Sequence, residues 1–129
     1  GLKNVAFVGT QPLETIPYFL KTSNVLIHSL KDAPVAKRGV PSKLYEYMAS
    51  GRPIVFGSKD SEAINELEKA GGALWFPPDE ANRLADIIVR LKSGEIDGDS
   101  LGQRYLTYAT AHHRRELWAQ KYLEQIERL

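Results

Sequence analysis

The 129-residue chain contains no cysteine. A disulfide framework and any thiolate-held metal are excluded, and the composition suits a reducing cytoplasm. Net charge is nearly absent too: 17 basic against 16 acidic side chains leave a formal +1. That balance gives no reason to expect a nucleic-acid partner, so an anionic ligand needs a local site. Long apolar runs are also missing. Nothing approaches the roughly 20 residues of a membrane span, and the opening GLKNVAFVG lacks a signal peptide's basic flank and extended apolar stretch. The expectation is a cytoplasmic protein, with peripheral contact of a longer parent at the inner membrane face left open. Finally, neither G-x-S-x-G nor G-x-G-x-x-G occurs, which removes the support for a nucleophile-elbow hydrolase or a dinucleotide-dependent dehydrogenase.

What remains is ordinary globular material, 43% hydrophobic and 26% charged, long enough for a single domain over 1–129. Short apolar, β-branched runs alternate with helical patterns. Asn4 to Gly9, Asn24 to Ser29, Arg52 to Gly57 and Gly72 to Phe76 read as strands, apolar enough to predict a sheet buried on both faces. Ile16, Phe19 and Leu20 have helical spacing, which Pro17 permits only in a first turn. Ala63, Ile64, Leu67 and Ala70 share one face of a helix that Ser61 can cap and Gly71 ends. Leu84, Ile87, Ile88 and Leu91 define another, from Glu80 to Ser93. Helical patterns resume from Leu101 to Ala109 and from about Arg114 to Leu129, where Trp118, Tyr122, Ile126 and Leu129 form a stripe that reads as core packing or, second, as a surface docking onto another domain. The alternation predicts an α/β, Rossmann-like parallel sheet with flanking helices.

In such sheets ligands gather beyond the carboxyl ends of the strands. The loops leaving those ends are GTQP, SLKDAPVAKRGVPS and GSKDS. The middle one runs into Pro41-Ser42, a helix start in which the serine can serve as N-cap, and the amides of Lys43, Leu44 and Tyr45 would carry the partial positive charge that attracts phosphate. Glu46 lies one residue beyond the position a capping box requires. It is either a carboxylate favoured by the helix dipole or an acceptor for a ligand's vicinal hydroxyls.

The run RGVPSKLYEYMASGRPIV, Arg38 to Val55, resembles the donor-binding motif of glycosyltransferase family 4, retaining enzymes of the two-Rossmann-domain GT-B fold. The flanking segments resemble that family as well, over nearly the whole chain. The resemblance implies a truncated C-terminal half of a GT-B enzyme, whose donor is a nucleotide-diphosphate sugar (UDP or GDP) and which needs no resident cofactor or metal. It implies that Glu46 holds the ribose hydroxyls, that the backbone of Ser42, Lys43 and Leu44 meets the diphosphate, and that Gly9, Thr10 and Gln11 border the base. Members with similar PSKLYE helices build bacterial surface polysaccharides on carbohydrate or lipid-linked acceptors.

Two departures qualify it. Arg38 stands where the family's first glutamate contacts the sugar; it is either a partner for phosphate or an acidic sugar or a solvated loop residue. Two strand-helix units and an acceptor-binding N-terminal domain found in the family are not in this sequence. The fragment alone is expected to be inactive, and with the family's strand order Asn4 to Gly9 would have no neighbour, which predicts an oligomer or a strand swap. Competing readings are a noncatalytic association module from a degenerate transferase and part of a nucleotide-sugar epimerase.

Other signals read as structural. Asp97-Gly98-Asp99 reads as a turn and cap rather than a cation site. His112 and His113, about 100° apart on a helix, read with Arg114 and Arg115 as a solvated helix start. His28 reads as a buried, hydrogen-bonded histidine or, second, as a ligand-side residue because strand ends feed the site, and Lys31, Asp32, Lys37 and Lys59 read as loop surface.

Overall fold

A computed structural model describes residues 2–31 and 33–128, apart from the side chains of residues 35 and 36. Three of the apolar runs pair as strands: β1 (Leu26–Ser29), β2 (Ile54–Gly57) and β3 (Leu74–Phe76) form a parallel sheet in the order β1-β2-β3. Leu26 lies opposite Ile54, and Val55 opposite Leu74. The helices are α1 (Ile16–Thr22), entered through a 3-10 turn at Leu13–Thr15, then α2 (Pro34–Lys37), α3 (Ser42–Ala49) and α4 (Glu62–Lys69). After β3 come α5 (Ala81–Ser93), α6 (Gly98–His112) and α7 (Arg115–Glu127). This is the α/β, Rossmann-like arrangement that the alternation predicts.

The core follows from the alternation of β2, the central strand. Ile54 and Phe56 pack under Leu44 and Met48 of α3, Ala63 and Leu67 of α4, and Leu101, Tyr105 and Ala109 of α6. Val55 faces the opposite side, with Phe76 and with Ile87 of α5, bordered by Leu84, Ile88 and Leu91. Each such large side chain contributes about 1.5–3 kcal/mol on burial. All of β2 is buried, but the outer strand β1 leaves Ile27 exposed, so only the middle of the sheet is covered on both faces.

The fourth run, Asn4 to Gly9, is not a strand: it is irregular, with Phe7 96% exposed. A strand exists only when a neighbour accepts its hydrogen bonds, and among the described residues none lies beside it. Other expectations shift by a turn or less. Pro17 falls in the first turn of α1 and Gly94 ends α5 in the left-handed region. Helix α6 starts earlier than its apolar pattern, at Gly98, because the Asp97 side chain accepts from the Ser100 amide at 2.9 Å. Ser61 occupies the N-cap position of α4, but its buried hydroxyl makes no hydrogen bond among the described residues. The stripe of α7 does not pack into the core as expected: no residue of the helix is buried, Trp118, Tyr122 and Ile126 are exposed, and Leu129 lies outside the described residues.

Helix α6 can approach the sheet because Gly102 lacks a side chain. A Cβ there would lie 2.1 Å from the Gly51 carbonyl oxygen in the turn between α3 and β2. A polar anchor holds the same layer. Glu66, on the inner face of α4 and 8% exposed, accepts from the Tyr108 hydroxyl at 3.0 Å and lies 2.9 Å from His113 Nε2, with Lys69 Nζ at 3.4 Å. This overturns the solvated reading of His113: with Glu66 buried beneath it, its side chain is only 15% exposed. His112 ends α6 and stays exposed. Burial raises the cost of ionising Glu66, but hydrogen bonds from Tyr108, Lys69 and His113 outweigh it and hold the carboxyl below the ordinary glutamate range.

Two stability predictions follow from this layer. Gly102→Ala is expected to cost about 1–3 kcal/mol, because backbone must move to admit the methyl group, and the urea midpoint reports it. Glu66 stabilises the fold fully above its unfolded value of 4.5, and that contribution disappears as pH falls through the lower folded value. Glu66→Gln should therefore lower stability by about 1–3 kcal/mol near neutral pH and flatten the acid limb of a melting-temperature profile.

Candidate functional site

The geometry of α3 is set by its apolar residues. Leu44 and Met48, four apart, are both fully buried against the sheet, and residues so spaced lie on one side of a helix. Glu46, about 200° around the axis from Leu44 at about 100° per residue, must then face outward. It is exposed and lines a groove of about 540 Å³ between α3 and α1, together with Leu13, Ile16, Pro17, Leu20, Lys21, Ala49 and Ser50. An Arg52 guanidinium donates to the Lys21 carbonyl and ties the end of α1 to the start of β2, which keeps the groove's walls together.

The first turn of α3 differs from the sequence expectation in two respects. Pro41, extended at ψ 134, is the N-cap, so Ser42 is the first helical residue and its side chain makes no capping bond. A cap must have non-helical backbone angles, and proline takes that position. The Leu44 amide, moreover, donates to the Pro41 carbonyl at 2.9 Å. Of the backbone donors, Ser42 and Lys43 are left pointing out of the helix end, and both residues are exposed. The turn is open to solvent, carries the dipole's partial positive charge, and lies one helical turn from Glu46.

Beneath it, at the carboxyl end of β1, His28 stacks on Phe56 at 5.3 Å and meets the Tyr47 ring edge-on at 6.1 Å. Burial, and then the nearby Lys43 ammonium, lower its pKa and favour the neutral ring. Its Nε2 is buried without a hydrogen-bond partner among the described residues, so it is packed but not bonded as expected.

Arg38 ends α2 and is exposed. Gly9 and Thr10 are exposed, while Gln11 is half-buried with its side-chain amide donating to the Val8 carbonyl. These three residues precede the 3-10 turn whose Leu13 lines the Glu46 groove. Among the loop lysines, Lys59 pairs with Asp79 at 2.9 Å; Lys31 is exposed, and Asp32 lies outside the described residues.

Sequence reasoning missed the side chains bracketing Glu46. Tyr45 lies against His113 with ring centroids 4.1 Å apart and the planes tilted by 31°, and Tyr47 meets His28 edge-on. The signal was present as Tyr-Glu-Tyr, one aromatic on either flank of the carboxylate. Burial, reinforced by the adjacent Glu46 carboxylate, raises the Tyr47 pKa, so this phenol stays neutral.

A family model described as "Glycosyl transferases group 1" matches residues 1–93, which take in α1, α3, Glu46 and the groove. The "Amylovoran biosynthesis glycosyltransferase AmsK" of Erwinia amylovora is 37% identical over 95 residues, 72% of this chain and 23% of that protein. The chain thus spans under a quarter of that relative's length. No solved structure matches it. With the family model covering most of the chain, and its open helix start and groove inside the matched span, the chain belongs to the group 1 glycosyl transferases.

Proposed function

We propose that this chain is the donor-binding part of a retaining, family 4 glycosyltransferase of GT-B architecture. Its parent moves a sugar from a UDP or GDP sugar to a carbohydrate or lipid-linked acceptor in bacterial surface polysaccharide synthesis. The observation that carries this reading is the placement of Glu46: an outward carboxylate in a largely apolar groove, one turn from an open helix N-terminus. A nucleoside diphosphate has the matching parts. Its base suits the apolar wall of Leu13, Ile16 and Leu20, with the backbone of Gly9, Thr10 and Gln11 at the rim. Its ribose hydroxyls donate to Glu46, and its diphosphate meets the amides of Ser42 and Lys43. The name of the relative, a polysaccharide-biosynthesis glycosyltransferase, supports the product class.

In the reaction these groups would act electrostatically. The amide dipoles of α3 and the Lys43 ammonium stabilise negative charge on the departing diphosphate as the anomeric carbon becomes positive. The outer edge of β1 is where upstream strands of the parent would complete the sheet, and the acceptor-binding domain lies upstream as well. A noncatalytic association module remains the second reading, favoured by Arg38 standing in the place of the family's glutamate. Sugar transfer by the full-length parent separates the two.

Glu46→Ala in the full-length parent should weaken UDP or GDP binding by roughly 1.5–3 kcal/mol, the value of hydrogen bonds to a charged group. Calorimetry measures this, and an unchanged affinity in a folded variant would remove Glu46 from the site. Arg38→Ala should leave UDP affinity nearly unaltered if Arg38 is solvated. A loss that grows as salt is lowered would instead place its guanidinium on an anion.

A further inference from the structure

Leu44 and Met48 lie only about 40° apart around α3 at about 100° per residue, so they form a single seam about which the helix can rock. The flanking tyrosines limit that rocking. Tyr45 is held on one side by His113, and Tyr47 rests on the other against His28. The two supports differ. Among the described residues His28 has no hydrogen-bond partner for its Nε2, whereas His113 is anchored: Nε2 lies 2.9 Å from Glu66 Oε1, and its backbone amide donates to the Ala109 carbonyl at 2.8 Å. Glu66 is itself fixed by Tyr108. One imidazole thus joins α4, the end of α6 and the flank of α3 next to Glu46. It also sits at the break between α6 and α7, where a change in the angle of α7 would first be felt.

We propose that His113 is a positioning residue for the ligand site: its ring on Tyr45, anchored by its bond to Glu66, fixes the roll of α3 and hence the direction of Glu46. This rests on the donor-site reading above. The ring face and the ring nitrogen do different things. Nitrogen bonding to Glu66 stabilises the layer, while the face against Tyr45 sets the orientation of α3. His113→Gln separates them, because its amide can reach Glu66 but offers no ring to Tyr45.

The test uses the full-length parent, with UDP and GDP titrated calorimetrically well below the melting temperature. His113→Ala is expected to weaken binding between about two- and thirty-fold, the range for coupling through residues that do not touch ligand. Tyr45→Ala should do likewise, and the double variant should be no weaker than either single one, as expected for two halves of one contact. His113→Gln should regain the melting temperature but not the affinity. If it regains both, or if folded His113→Ala binds as tightly as the parent while Glu46→Ala does not, His113 is only structural and the proposal is overturned. If Glu46→Ala is also without effect, the donor-site reading falls with it. Should His113→Ala fail to fold, the Gln and Tyr45 variants decide the question by the same criteria.

Discussion

The burial of Leu44 and Met48 under α3 is the constraint on which the site depends. Once these two side chains are committed to the sheet, the face that the helix turns outward is chosen, and only a limited roll about that seam is left. Glu46 faces the α1 groove, Tyr45 faces His113, Tyr47 faces His28, and Ser42 and Lys43 stand at the open end. No residue that would touch ligand determines its own direction. Packing of the helix by its neighbours does so, and among the described residues no hydrogen bond or ion pair holds the Glu46 carboxylate.

The sheet and its helices were legible in the sequence wherever the signal was local. Periodicity in α4 and α5, the placement of Pro17, and the cap at Asp97 all involve residues within a few positions of one another. Asn4 to Gly9 shows the limit of that kind of signal. Its composition is that of a strand, yet pairing is non-local, and side-chain fit to a pleated surface has no meaning without the surface. The same logic covers Ile27, which reads as core in an apolar run but sits on an outer strand whose far edge is open among the described residues.

The polar interior was harder to see. Glu66 is a polar residue flanking the apolar face of α4, three positions from Ala63 and four from Ala70, and only tertiary packing brings Tyr108 and His113 to it, across 42 and 47 positions of sequence. Such a carboxylate is tolerable when buried because its acceptors are filled; an unpaired one would cost several kcal/mol. His112 and His113 look equivalent on paper, and one residue's difference in position decides that one is solvated while the other becomes a structural joint. At Ser42 the failure was of another sort. Both Pro41 and Ser42 suit a helix start, and the sequence does not say which takes the cap; the extended angles of Pro41 settle it.

An open helix start is a weak argument for a ligand by itself, since α1, α4, α5 and α7 also lack side-chain caps. What sets α3 apart is the coincidence of three conditions on one short helix. Its first two residues are exposed, its second turn presents a carboxylate into a largely apolar groove, and its flanks are gripped by aromatic contacts. The other helix starts meet fewer of these: α4 begins with a buried hydroxyl, and α6 is satisfied by its own aspartate. A ligand with a flat apolar ring, vicinal hydroxyls and an anionic tail uses all the features of α3 together, whereas a simple anion would use only the first. The coincidence of those features, more than the helix dipole, is what supports the proposed nucleoside diphosphate.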